Sequence, residues 1–189
     1  MSRRDEILEV AAELFFERGF HGVGVDEIGE RAGMSGPALY RHFRSKDELL
    51  AALFDRAMDL VSADLPPEDG EDSDATLDQL IRRHARFVVE HRHLVSIYAH
   101  EHRSLVDPWR KPFLRRLRAH ARRWELAIAA ACPDAADDDV SLAAQGSIGL
   151  LHSVIYWPPG VLKADDVIDR LCALVRGGIG GLATLTAPP

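Results

Sequence analysis

Residues 25–50, VDEIGERAGMSGPALYRHFRSKDELL, decide how this chain is read. Asp26 and Glu27 open a short helix predicted over 25–32, with their carboxylates at the end where the helix dipole favours negative charge. Gly33 then supplies a tight turn, and Ser35 is a good N-cap for a second helix over 35–43. Pro37 sits in the first turn of that helix, where no intrahelical donor is lost. Ser45-Lys46-Asp47-Glu48 is a capping box that starts a longer helix running to about residue 63. Two short helices joined by a glycine-containing turn are the signature of a helix-turn-helix. On the second helix Leu39 and Phe43 share one side, while Pro37, Arg41 and Arg44 lie opposite and Tyr40 and His42 fall on the flanks. A helix lying in a major groove needs that layout: a projecting centre for base edges and polar flanks for the phosphate walls. Singly, Tyr40 also reads as a half-buried core aromatic and His42 as a solvated surface residue. Their conjunction after the turn favours DNA.

Outward from this motif the chain reads as all-α. Ile7, Leu8, Ala11, Leu14, Phe15 and Arg18 form one helical stripe that Gly19 stops. Residues 64–76, DLPPEDGEDSDAT, carry six acids, two prolines and no base, and read as a linker. Helices are expected over about 75–91, 93–103, 109–132, 138–156 and 164–186, making about nine in all, with no strand pattern. The expected architecture is a three-helix DNA-binding domain over 1–50, followed by a helical ligand-binding and dimerising domain over 51–189.

Composition bounds this reading. The apolar fraction of 47% over 189 residues suffices for a real core. Two cysteines, Cys132 and Cys172, suit a reducing cytoplasm, the expected location, better than a disulfide framework. The apolar run over 140–162 is nearly long enough to span a bilayer, but Ser141, Gln145, Ser147 and Pro158-Pro159-Gly160 make it a buried helix and turn, so no membrane is expected. The net charge of −7 argues at face value against nucleic acid. Even residues 1–56 hold eight bases against eleven acids. Residues 31–46, however, contain Arg31, Arg41, Arg44 and Lys46 and no acid. That local basic face is what phosphate contact requires.

The segment RDEILEVAAELFFERGFHGVGVDEIGERAGMSGPALYRHFRSKDELLAAL resembles the N-terminal domain of the tetracycline-repressor (TetR) family nearly end to end. The similarity is strongest at Ala32-Gly33-Met34-Ser35, Leu39-Tyr40-Arg41-His42-Phe43 and Ser45-Lys46-Asp47-Glu48-Leu49-Leu50. The resemblance implies that Tyr40 contacts phosphate, that His42 contacts backbone or base, and that Lys46 touches phosphate beside the free amides of its helix. Ser35, Gly36 and Pro37 then sit where the recognition helix enters the groove. Arg3 and Arg4 form either an N-terminal arm or a loose terminus. The family commonly has Ser or Thr where this chain has Gly24, so a capping hydroxyl and its phosphate contact are missing. The implied function is a homodimeric repressor, released from a pseudo-palindromic operator by a small-molecule inducer, with no cofactor.

In the second half, the aromatic residues Phe87, Tyr98, Trp109, Phe113, Trp124 and Tyr156 either fill core or line the apolar pocket that the resemblance implies. Dimerisation through the last two helices is expected to use Val140, Ile148, Leu151, Val167, Leu171 and Leu174. Glycines 177, 178, 180 and 181 are costly in a helix, and close packing across an interface is one reason to keep them. Arg103, Arg110, Lys111, Arg115, Arg116, Arg118, Arg122 and Arg123 form either a solvated face or a site for an anionic ligand such as an acyl-CoA. His91/His93 and His100/His102 are i,i+2 pairs that do not share a helix face, so no metal is expected. No Ser/His/Asp, HExxH or phosphate-loop pattern supports an enzyme. A helical interaction protein without DNA binding is the other alternative.

Overall fold

The computed structural model describes residues 2–63, 73–158 and 160–185; of 182–185 only the backbone is described. Among the described residues it is all-helical. The helices are α1 (Arg3–Arg18), α2 (Val25–Arg31), α3 (Gly36–Leu39), α4 (Lys46–Ser62), α5 (Ser73–Glu90), α6 (Arg92–Glu101), α7 (Arg110–Ala131), α8 (Asp137–His152) and α9 (Val167–Leu185). Short 3₁₀ turns occupy His102–Ser104, Ser153–Tyr156 and Val161–Lys163. The linker expected over 64–76 falls mostly outside the described residues, and its last four residues open α5. Among the described residues no helix is long and apolar enough to cross a membrane.

The chain divides into two compact units, Met1–Asp59 with His93–Arg116, and Leu60–Arg92 with Leu117–Pro189. The division follows packing rather than chain order. In the first unit, Ser2 caps α1 through a reciprocal box: its hydroxyl accepts the Asp5 N–H at 3.2 Å, and Asp5 accepts the Ser2 N–H at 2.9 Å. The Ser2 hydroxyl also donates to the Asp5 carboxylate, which holds that carboxyl below its usual range. Gly19 ends α1 at φ +74°, a conformation that favours glycine. Ile7, Leu14, Ile28, Leu39, Phe43 and Phe54 form the dry centre beneath α1–α4. Phe54 continues it onto Phe113, stacked at 5.0 Å, and Tyr98, edge-on at 5.9 Å.

In the second unit α5, α8 and α9 pack together around Leu77, Leu80, Ala144, Leu151, Leu171 and Val175. Charged pairs fasten the rim: Arg82 to Asp169 at 2.7 Å, and Arg176 to Asp74 and Asp78. Arg92 donates to the Ile155 and Trp157 carbonyls at 2.5 and 3.0 Å, which stops the turn after α8. Helix α9 starts three residues later than expected, because Val161–Lys163 forms a separate turn.

Candidate nucleic-acid interface

The turn between α2 and α3 is built from backbone. The Met34 N–H donates to the Gly29 carbonyl at 2.9 Å, and Gly33 takes φ +67°. A Cβ on Gly29 would sit 3.2 Å from the Met34 carbonyl oxygen, so only glycine lets the two helices close this tightly without adjustment. Ser35 occupies the N-cap position of α3 with extended backbone, but its hydroxyl makes no cap bond.

The recognition helix is shorter than the expected 35–43. After Leu39 the hydrogen bonds tighten: Tyr40 N–H still donates to Gly36 O, but Arg41 bonds Ala38 O and His42 bonds Leu39 O. The continuation over Tyr40–His42 is thus a wound turn rather than α-helix. Its facing survives the change, because Leu39 and Phe43 are both fully buried. Each contributes about 1.5–3 kcal/mol of apolar burial, which pins the turn to the core. Ser35, Pro37, Tyr40, Arg41 and Arg44 are exposed; Gly36, His42 and Lys46 are half-buried. No ion pair holds the Arg41 or Arg44 side chain among the described residues.

Three basic residues also make contacts within the chain. Arg4 is neither a free arm nor a loose terminus: it donates to the His42 carbonyl at 2.5 Å and lies 3.9 Å over the Phe43 ring. Arg3 donates to the Ala32 carbonyl at 2.6 Å. Both clamp α1 onto the motif. The Lys46 ammonium gives two of its three donors to the Phe20 and Val23 carbonyls, each at 2.9 Å, and lies over the Phe20 ring. It holds the α1–α2 loop and keeps one donor for an outside partner. The capping box at α4 is half formed: Ser45 accepts the Glu48 N–H at 3.1 Å, whereas Glu48 accepts from the Arg44 N–H instead of the Ser45 N–H. Gly24 caps α2 with no side-chain bond, as its lack of a hydroxyl dictates. Glu101 accepts from the Phe20 N–H at 2.9 Å and the Ser104 hydroxyl at 3.1 Å.

The six aromatic residues are divided between the two units. Tyr98, Trp109 and Phe113 belong to the first unit; Phe87, Trp124 and Tyr156 belong to the second. Phe87, Phe113 and Trp124 are buried, whereas Tyr156 is 72% exposed on the turn that follows α8. A cleft of about 240 Å³ in the first unit is lined by Phe15, Phe16, Gly19, Ser96, Ile97, His100 and Glu101, none of them among the six. Of the expected dimer residues, Val140, Leu151, Val167 and Leu171 are buried within their own unit, Ile148 is half-buried and Leu174 is 55% exposed. Leu142, which sequence reasoning passed over, is 62% exposed. A Cβ on Gly146, Gly149, Gly177, Gly178 or Gly180 would meet nothing within 4 Å. On α7, Arg116 pairs with Asp55 and Asp59, Lys111 with Asp107 and Arg122 with Glu125. Arg110, Arg115 and Arg118 stand exposed. Sequence reasoning also missed a set of three histidines, the buried His84 and His120 and the half-buried His152, linked through 3.1 and 3.3 Å contacts. Their only advance signal was His120 lying one helical turn before Trp124.

Two family models match in succession: bacterial regulatory proteins of the tetR family over residues 7–53, and the tetracyclin repressor-like C-terminal domain over residues 70–179. The transcriptional repressor KstR2 of Rhodococcus jostii is 31% identical, over 94% of this chain and 91% of its own. Among solved structures, the ketosteroid transcriptional regulator KstR2 of Mycobacterium tuberculosis superposes with a TM-score of 0.80 at 25% identity, covering 96% of this chain and 95% of that one. The regulator PfmR of Thermus thermophilus gives 0.78 at 25% identity, over 93% and 98%. With both halves matched in order along nearly its full length, the chain belongs to the TetR family of bacterial regulatory proteins and is a DNA-binding transcription regulator, not an enzyme.

Proposed function

We propose that this regulator is a homodimeric repressor that sits in the cytoplasm on a pseudo-palindromic operator and leaves it when a small apolar or anionic molecule enters its helical half. Residues 1–50 read DNA; residues 51–189 sense and dimerise. The observation that carries the DNA half is the contrast within residues 31–46: Leu39 and Phe43 are fully buried while Ser35, Pro37, Tyr40, Arg41 and Arg44 face solvent. In this reading Arg41 and Arg44 address base edges, and Tyr40, His42 and the spare Lys46 donor address phosphates. Gly36 lets the backbone approach the groove.

Dimerisation through α8 and α9 is supported by the outer faces of those helices, where Leu142, Ile148 and Leu174 stand among glycines whose small size nothing inside the protomer requires. Two recognition elements related by a two-fold axis would meet successive major grooves roughly 34–36 Å apart. Ligand binding would favour a dimer in which that spacing is lost. Phe87 and Trp124 are the aromatic residues best placed to line the sensing core.

The test is retardation of the DNA upstream of the protein's own gene by purified full-length chain at low salt. Two chains per palindromic site are expected, and addition of an inducer releases them. Failure to retard that DNA overturns the proposal. Titration calorimetry with a panel of acyl-CoA thioesters tests the anionic class of inducer, and absence of heat removes it.

A further inference from the structure

Helices α5 and α7 of the second unit each place a histidine in its core, and α8 adds the half-buried His152. His84 on α5 is 2% exposed and His120 on α7 is 9% exposed. His84 Nε2 lies 3.1 Å from His152 Nε2 on α8, and His84 Nδ1 lies 3.3 Å from His120 Nε2. Trp124, fully buried, donates its indole N–H to the same His120 Nε2 at 3.2 Å. The indole fixes the role of His120 Nε2, because it can only donate. His120 Nε2 is therefore an acceptor, and the ring's proton sits on Nδ1. The single lone pair of that nitrogen is taken by the indole, and His84 Nδ1 lies against it as a second neighbour. All three rings are neutral. Burial agrees, pushing His84 well below its usual range and His120 and His152 down to about 4.

One donor is left at the end of this chain. His120 Nδ1–H is buried and has no hydrogen-bond partner. Folded proteins rarely leave such a group unpaired. Arg83 Nε, one residue before His84, is the other buried and unpartnered side-chain polar atom among the described residues. Arg83 donates from its other nitrogens only to the Leu60 carbonyl, at 2.9 Å, and no carboxylate pairs with it among the described residues. Both orphans are donors, so what the core lacks is oxygen. Trp124 and Phe87 stand 5.6 and 6.3 Å from His84, centroid to centroid, and the Arg123 guanidinium bears on His120 from the same helix. A shared metal ion does not fit, since His84 turns different nitrogens toward its two neighbours, and no metal-holding group occurs among the described residues.

We propose that His120 Nδ1–H is the polar anchor of the sensing half, donating to a carbonyl or carboxylate oxygen on an otherwise apolar small molecule. Trp124 is the positioning residue that holds its tautomer. This inference rests on the reading that the helical half takes a ligand. It predicts a selectivity: molecules that present an acceptor oxygen bind, amines and bare hydrocarbons of the same shape do not.

The experiment follows histidine side-chain nitrogens by NMR in full-length protein, titrated with cyclohexanone, cyclohexanecarboxylate and cyclohexane. The free protein is expected to show His120 protonated on Nδ1. Cyclohexanone or cyclohexanecarboxylate should shift that nitrogen saturably, at least about ten-fold more tightly than cyclohexane, the worth of one hydrogen bond. His120→Phe should remove the preference while leaving the helical spectrum intact. His120→Asn, whose amide can donate from the Nδ1 position, should restore it. The proposal is overturned if His120 carries its proton on Nε2, if no probe shifts it, if all three act alike, or if only a bound water occupies Nδ1. DNA retardation run in parallel separates the two readings. A probe that binds His120 without releasing DNA sinks the inducer mechanism and leaves the anchor, while intact retardation with no probe binding sinks the anchor alone.

Discussion

The DNA-reading motif and the histidine-lined core handle polar groups in opposite ways. Around α3 the chain buries Leu39 and Phe43 and leaves Tyr40, Arg41 and Arg44 in water, and the backbone bonds that shape the turn join residues within five positions of one another. In the second unit three imidazoles are drawn inside from helices separated by 36 and 32 residues and wired to one another. Exposed charge gives a surface that answers to salt and to a charged partner. Buried neutral imidazoles give a core whose integrity depends on their staying uncharged. The lesson is that local patterning announces a surface for a large charged polymer, whereas a recognition core is assembled by packing and stays hidden until the helices are placed.

The largest expected effect exploits that contrast through pH. Burial depresses His120 and His152 to about 4 and His84 further, against about 6.5 in the unfolded chain. As pH falls below 6.5 the unfolded state takes protons first, so stability is complete above 6.5 and is lost progressively toward pH 4. The full loss is of order 3 kcal/mol for each of His120 and His152, about 2 kcal/mol of it by pH 5, and urea melts followed by tryptophan fluorescence at pH 7.5 and 5 would read it. Equal midpoints at both pH values would erase the distinction between the regions. Next comes Phe43→Ala, expected to cost about 3–5 kcal/mol by opening a cavity under the motif and removing the ring beneath Arg4, measured by the same melts at pH 7.5. Tyr40→Phe should leave stability within about 0.5 kcal/mol and, on the proposal that its hydroxyl contacts phosphate, weaken binding to any DNA about ten-fold. The smallest change is Gly24→Ser. Gly24 has extended backbone and open space at its Cβ, so a hydroxyl can cap α2 for a few tenths of a kcal/mol and tighten DNA binding slightly.

What was legible in sequence follows the same divide. Gly19, Gly33, Ser35 and the Leu39/Phe43 facing were readable because each depends on neighbours within one or two helical turns. The α3 end was not: after Leu39 the last bonds tighten, and this brings the chain round to Ser45. Lys46 was assigned to phosphate, but its two main partners are carbonyls 23 and 26 residues earlier, a relation no spacing rule reveals. Val140, Leu151, Val167 and Leu171 were placed at the dimer interface because apolarity alone does not tell a protomer's own core from a partner's surface. Tyr156 shows the converse, an aromatic residue turned outward by the 3₁₀ turn that ends α8. His84 meets His120 and His152, which lie 36 and 68 residues further along the chain, so no spacing rule joins them.

The central claim is that the exposed face of the α3 turn reads bases while the buried network senses ligand. Its most direct test is the affinity ratio for the DNA upstream of the gene against a scrambled duplex, at one fixed salt concentration, in wild type and in the Arg41→Ala/Arg44→Ala double variant. The account predicts a wild-type ratio of roughly 1,000 or more that falls to within about ten-fold in the double variant, with an unchanged melting curve. A double variant that keeps the wild-type ratio contradicts it.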